Sequence, residues 1–310
     1  MKYKEWIEIW LYNYIKPTNK TRTFENYKQM IDNHIITKIG DFEIMEITPL
    51  ILQNYLTELL QIGNKLNGRG LSASTVNLII TIIQNSLKTA FMIGIIKEYT
   101  ANRIKRPKLK QASVSCFNML EQRKIEQAIF SDKRDKMFGI VLCLYTGLRI
   151  GELLALTWDD INLISGSISV NKTCYDGKNN NRLIFEPKTE SSKRIIPIPK
   201  QLIPILKSKK QKHKIKYVIE ENGKMITIRS YQRSFALLLK KLNISHKGFH
   251  SLRHTFATRA LESGMDVKTL SEILGHKNAT ITLNRYVHSL MEHKQEMMNR
   301  LGKMLNKNVA

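Results

Sequence analysis

Apolar residues in the first hundred positions recur at helical spacing. Trp6, Trp10, Leu11 and Tyr14 fall on one face of a first helix. Thr23 is placed to cap a second helix that holds Phe24, Tyr27 and Ile31. Thr48-Pro49 puts a capping residue before a proline at the first helical position, and Leu52, Tyr55 and Leu59 follow in register. Beyond Gly68-Arg69-Gly70, Ser74 is placed to cap a long helix through Leu78, Ile82, Leu87 and Phe91, ending near Gly94. Four helices with short links predict a small bundle.

From Asn118 the pattern is mixed. Asn118 and Glu121 form a capping box for a helix reaching about Phe130. An apolar helix running to about Tyr145 and a third helix from about Gly151 follow. Strand-like alternation then marks Ser167–Cys174, Arg182–Pro187 and Arg194–Pro199, with a short pair flanking Glu221-Asn222-Gly223. Helical spacing returns at about 229–242, 249–263 and 267–274. The second part is therefore α+β, a helical body with a small antiparallel sheet. The predicted division is 1–100 helical, 101–114 a basic linker and 115–310 mixed.

Charge changes the picture most. Of 310 residues, 50 are Lys or Arg and 26 Asp or Glu, a formal net charge of +24. Such an excess favours a polyanionic partner, nucleic acid first, because each neutralised phosphate releases counterions. It argues against a neutral small-molecule scaffold. Residues 1–110 carry 16 basic and 9 acidic side chains, so the excess is shared by both parts rather than confined to a tail. The stretch Ala101 to Lys110 holds Arg103, Lys105, Arg106, Lys108 and Lys110. It reads as a solvated linker or, the reading preferred here, as a strap along phosphates through Lys105, Arg106, Lys108 and Lys110. Cys116, Cys143 and Cys174 lie far apart with no CxxC pair, which argues against a disulfide framework or a cysteine zinc site. With no apolar signal core at the N-terminus and no run long enough to span a bilayer, a soluble cytoplasmic protein is expected.

Several groups suggest chemistry. His250 and Arg253 are three apart on one helical face and are suited to gripping a phosphate. The plainer reading is a solvated polar face. His254 completes an i,i+4 His pair, but the Glu of HExxH is missing, which disfavours zinc. Arg149 sits in a turn between two apolar helices. Buried there it needs a partner, either Glu152 in a structural ion pair or a bound phosphate, and spacing leaves both open. Lys188 stands at a strand end before a turn, as it would in an ordinary hairpin or in one thrust into a groove. Leu274-Gly275-His276 is followed ten residues on by Tyr286, one of 11 tyrosines, and nothing in its spacing singles it out.

The ordered set Arg149, Lys188, His250-x-x-Arg253, His276 and Tyr286 closely resembles the tyrosine recombinase (phage integrase) family. The flanks TGLRIGELLALTW, PKTESSKRIIPIP, HSLRHTFAT, LGH and RYVH carry the likeness across the whole second domain. The helical first domain resembles the family's core-site binding, SAM-like domain. Glu152 occupies the acidic position that the family places after its first arginine. The resemblance implies cutting and rejoining of double-stranded DNA through a 3′-phosphotyrosine on Tyr286, without metal, ATP or cofactor. It implies that Arg149 and Arg253 clamp the non-bridging oxygens and that Lys188 protonates the leaving 5′ oxygen. His250 serves as base or relay, His276 bonds the phosphate, and four copies assemble on paired sites. Apolar spacing at Leu290, Met297, Leu301, Met304 and Leu305 predicts a tail that packs on its own domain or, as the resemblance implies and in the reading preferred here, docks on a neighbouring copy. Integration or excision of a mobile element is the expected role. The core-binding-like helices start near residue 4, so a separate arm-site module is expected to be absent. Type IB topoisomerases share the chemistry, Xer-like resolution of DNA multimers shares the site, and a catalytically silent DNA-binding regulator would not keep the whole set.

Overall fold

In the computed structural model, residues 1–64, 68–109, 115–132, 134–177, 182–186, 193–212, 216–221, 223–276, 280, 298–299, 301–302 and 304–305 are described. The chain divides into two compact units, Met1–Ala112 and Ser113–Ala310.

The first unit is helical: α1 (Tyr3–Trp10), α2 (Thr21–Met30), the short α3 (Ile36–Ile39), α4 (Pro49–Ile62) and α5 (Ala73–Met92). Two π-helical turns, Leu11–Ile15 and Ile31–Ile35, extend α1 and α2. The core joins Trp6, Ile7, Trp10, Ile31, Ile35, Leu52, Leu56, Ile79 and Ile83. Its aromatic polar atoms are satisfied from α5: Tyr3 shares a 2.7 Å hydrogen bond with Ser86, and the Trp6 indole donates to the Ser86 carbonyl at 3.1 Å. Thr48 caps α4 as its sequence indicates, with Pro49 at the first position. Two expected caps shift. Lys20, not Thr23, precedes α2, and Ser72, not Ser74, caps α5 by accepting from the Thr75 N–H. By starting earlier, α2 gains three residues of backbone bonding and α5 gains two. Tyr14 is exposed rather than buried with Trp6 and Trp10, because the π-helical turn advances its side chain off the apolar face.

In the second unit α6 (Met119–Phe130) carries the expected Asn118–Glu121 capping box. Then come α7 (Phe138–Thr146), α8 (Ile150–Ala155), β1 (Ile161–Asn162), β2 (Ser167–Val170), β3 (Thr173–Asp176), β4 (Arg182–Phe185) and β5 (Arg194–Pro197). α9 (Ile203–Lys212), β6 (Glu220–Glu221), β7 (Lys224–Met225), α10 (Ile228–Lys241), α11 (Ser251–Glu262) and α12 (Val267–Leu274) follow. The stretch expected as one strand, Ser167–Cys174, is two, and they pair differently. The described strands form three small antiparallel sheets, β1-β2-β5, β3-β4 and β6-β7, in place of one. The break at Asn171-Lys172 has a cause: both side chains turn to Asp160, Lys172 by a 2.8 Å ion pair, and the strand leaves the first sheet there. Helix α9 was not expected. Its Lys-rich sequence shows little apolar periodicity, and among its described side chains only Leu206 is fully buried.

The fold positions four chain segments for a site. α7 is buried over almost its whole length and packs on α11. It ends at Gly147 in the left-handed conformation, φ +66°, where a Cβ would stand 2.6 Å from the Phe256 ring and 2.8 Å from Leu274. That close approach brings the α7–α8 turn against α11 and α12. α12 also packs on β5. Among the described residues no helix is long and apolar enough to cross a membrane.

Candidate active site

Three arginines from three elements meet at the carbonyl end of α12. Arg194, at the start of β5, donates from Nε to the Ile273 carbonyl at 2.6 Å. Arg253, on the first turn of α11, donates from Nη2 to the Leu274 carbonyl at 2.6 Å and from Nη1 to the Gly147 carbonyl at 2.8 Å. Arg149, preceding α8, donates from Nη2 to the Gly275 carbonyl at 3.2 Å. The last carbonyls of a helix lack intrahelical donors and carry the negative end of its dipole, so consecutive positions 273, 274 and 275 are natural acceptors for cations. Gly275 makes this possible by turning left-handed at φ +64°.

Glu152 ties two of these arginines together. It is 6% exposed, and its carboxylate accepts four hydrogen bonds. Oε1 takes Arg149 Nη1 at 2.7 Å and Arg194 Nη1 at 3.1 Å. Oε2 takes the Arg149 backbone N–H and Arg194 Nη2, both at 2.9 Å. Four acceptor positions are all that a carboxylate offers. Burial pushes this carboxyl up, but the Arg194 fork, then Arg149, outweighs burial and holds it at about 2, below the ordinary 4.5. Arg149 therefore makes the ion pair that its spacing allowed, while its side chain stays 36% exposed. It is fixed from behind and open in front.

His276 follows the helix end and lies 3.0 Å, through Nε2, from Arg253 Nη2. A guanidinium only donates, so Nε2 accepts in this bond and the ring's proton sits on Nδ1. His250 stands one turn before Arg253 on an exposed position, and its ring meets His254 edge to face at 4.6 Å. Arg253 itself is 2% exposed, so the pair expected to share a face is split between rim and interior.

The structure thus joins Arg149, Glu152, Arg253 and His276 and holds His250 a turn away. Lys188 and Tyr286 lie outside the described residues, as does Lys110. Lys105, Arg106 and Lys108 are exposed and belong to the first unit. There Arg106 donates to Thr81 Oγ1 and Gln84 Oε1, and the Lys105 N–H donates to Gln53.

Arg194 was missed in the sequence. A signal was present: strand alternation puts residue 194 in phase with Ile196, which is 1% exposed. A charge in the inward phase demands a buried partner.

Residues 119–293 match the phage integrase family, and residues 2–60 match the phage integrase N-terminal SAM-like domain. The chain belongs to the phage integrase family. Among its relatives in this family, a "Tyrosine recombinase XerC-like" protein of Caldanaerobacter subterraneus subsp. tengcongensis is 29% identical over 331 residues, 96% of this chain and 81% of that one. The "ICEBs1 integrase" of Bacillus subtilis is 26% identical, covering 93% of this chain and 79% of its own. The fold matches that of the Tn1549 transposon integrase solved with transposon right end DNA, with TM-score 0.81, 24% identity, and coverage of 97% of this chain and 100% of that one. Membership makes the protein a site-specific recombinase, with the arginine cluster at the α12 terminus inside the matched segment.

Proposed function

We propose that this integrase cuts and rejoins duplex DNA at specific sites through a 3′-phosphotyrosine on Tyr286, moving a mobile element into or out of a host molecule. The observation that carries the reading is the convergence of Arg149, Arg253 and His276 on one helix end, ten residues before Tyr286. The phenol oxygen of Tyr286 attacks phosphorus and the bond to the 5′ oxygen breaks. The phenol proton passes to His250, and Lys188 gives a proton to the departing oxygen. A free phenol has a pKa of about 10, so cationic neighbours are needed to favour its ionised form. Arg149 and Arg253 hold the non-bridging oxygens, where charge gathers as phosphorus becomes five-coordinate. Donors fixed beforehand at that position act most strongly away from water. With its proton on Nδ1, His276 has a donor for the same phosphate.

The guanidiniums supply the charge that a metal ion would supply elsewhere, and the phosphotyrosine conserves the ester, so the scheme draws on neither metal nor ATP. Reciprocal exchange between two duplexes cuts four strands, and each copy brings one Tyr286, which calls for four copies on paired sites. Exposed Leu301, Met304 and Leu305 support a docking tail for that assembly. Lys105, Arg106 and Lys108, with Lys110, hold backbone phosphates beside the linker. The reaction belongs with DNA in the cytoplasm. Xer-like resolution of multimers would use the same site and differ in the DNA captured.

The test is incubation with the DNA flanking its own coding sequence, followed by a denaturing gel and sequencing of captured junctions. Wild-type protein should give a covalent adduct at an element boundary. Tyr286→Phe should bind the same DNA and give none. An adduct in that variant would remove Tyr286 from the nucleophile role, and adducts at a chromosomal resolution site would reassign the biological task.

A further inference from the structure

We propose that Arg194 is a positioning residue for strand cleavage, a brace that sets Arg149 against the Leu274-Gly275-His276 turn. The inference rests on the reading of Arg149 as a phosphate clamp. The Arg194 side chain is 6% exposed and spends its fork on protein groups. Its fork grips both oxygens of Glu152 at 3.1 and 2.9 Å, and its Nε holds the Ile273 carbonyl at 2.6 Å. The Glu152 carboxylate, so oriented, takes the Arg149 guanidinium and the Arg149 backbone N–H. The Ile273 carbonyl is adjacent to the two that receive Arg253 and Arg149. Arg194 therefore fixes the distance between the acid that orients one clamp arginine and the helix end that receives both.

The surroundings are fitted to that side chain. A Cβ at Gly275 would lie 3.0 Å from Arg194 Cδ and 3.1 Å from its Nη1, so the turn passes directly over the arginine. An apolar residue in phase with Ile196 would pack at this strand position without the cost of desolvating a charge. What the arginine adds is a planar fork with fixed geometry, which lysine does not reproduce. Arg194 also lies six residues after Lys188, at the point where the chain that carries the proposed general acid re-enters the sheet opposite Val170.

The test is a cycle of four proteins: wild type, Arg194→Lys, Arg149→Ala and the double variant. Each is assayed for single-turnover cleavage of a nicked duplex bearing the captured junction, with DNA affinity and thermal melting measured alongside. A brace acting through Arg149 predicts that Arg194→Lys slows cleavage about ten- to a hundredfold in the wild-type background, as small misplacements do. It predicts less than about threefold slowing when Arg149 is already gone, with Arg194→Lys changing DNA affinity by no more than about twofold in either background. Equal slowing in both backgrounds would make Arg194 a scaffold residue only and overturn the inference, as would unimpaired cleavage by Arg194→Lys. If Arg194→Lys does not melt cooperatively, Glu152→Gln takes its place in the cycle with the same expected pattern. Absence of any adduct from the wild-type protein would instead overturn the recombination chemistry, and this inference with it.

Discussion

Arg106 in the first unit and Arg149 in the second are each steered by two protein groups, but of different kinds. Arg106 donates to a hydroxyl and an amide oxygen, Thr81 Oγ1 at 3.2 Å and Gln84 Oε1 at 2.5 Å. Arg149 donates to a carboxylate and to a helix-end carbonyl. Neutral partners orient a guanidinium and leave its whole charge to attract a polyanion from a distance. A carboxylate takes up part of that charge but holds the fork harder, through charge-assisted bonds about twice as strong as neutral ones. The first arrangement suits a residue that must find phosphates in any sequence. The second suits one that must meet a single phosphate in one geometry. On the roles proposed above, the chain separates adhesion from chemistry by the choice of partner for each arginine.

Replacing Arg149 gives the largest effect and tests the separation directly. Arg149→Ala leaves Glu152 paired to Arg194 through both oxygens, so the fold survives. Cleavage should fall about 10²- to 10³-fold, the usual cost of one transition-state donor. DNA affinity should fall far less than the rate, since one phosphate contact of many is lost. Arg106→Ala should do the reverse, weakening binding while the cleavage rate of bound complexes is unchanged. Gel-shift affinity and single-turnover rate, measured on both variants, decide it. If Arg149→Ala lost affinity and rate by the same factor, the contrast between the two arginines would collapse.

Glu152 gives the next effect, in stability rather than rate. Its carboxyl is held at about 2 in the folded protein against an ordinary 4.5. A depressed carboxyl contributes stability that is present above the unfolded value and is lost as pH falls through the folded one. A shift of this size corresponds to about 3 kcal/mol. Urea unfolding at pH 7 should therefore show Glu152→Gln less stable by about 2–4 kcal/mol, in line with breaking a buried pair. The difference should hold down to about pH 4.5 and shrink steadily towards pH 2. A gap that stayed constant across that range would mean that Glu152 acts by shape and not by charge.

What the sequence disclosed and what it concealed follows the same physical line. Helices such as Met119–Phe130 and Val267–Leu274 were legible because apolar spacing and a side-chain cap agree at both. Arg149, Arg253 and His276 were singled out by the order of their motifs, and the structure adds what order could not: the two arginines converge on neighbouring carbonyls and His276 meets Arg253. Arg194 was hidden because it lies in a stretch with several other basic residues, which masked the inward phase that it shares with Ile196. Helix α9 was hidden for the opposite reason, since its lysines mask a thin apolar contact made chiefly by Leu206. The separation of Ser167–Cys174 into two strands depends on Asp160, distant enough in sequence that alternation alone carries no trace of it. Long-range polar contacts, not apolar periodicity, account for most of what was missed.

The smallest expected effect per residue lies in the basic segment. Residues 101–107 pack on the first unit: Ala101 and Ile104 are buried, Asn77 donates to the Pro107 carbonyl, and Gln84 donates to that of Ala101. That anchoring leaves Lys105, Arg106 and Lys108 outward on a fixed backbone, so their charges sit at set positions rather than along a loose strap. Neutralising Lys105, Arg106, Lys108 and Lys110 together should weaken DNA binding broadly, with little preference for sequence. Each phosphate contact removed should lower the slope of log affinity against log salt by about 0.9. Four contacts would then reduce it by between three and four, and Arg106→Gln alone by about one. Because Arg106 is held by Gln84 and Thr81, Gln84→Ala should weaken binding less than Arg106→Gln and leave the salt slope nearly intact: the charge stays, and only its orientation is lost. Equal slopes for Arg106→Gln and the wild-type protein would show that this guanidinium meets no phosphate, and that the neutral partners serve only to fasten the linker to its helix.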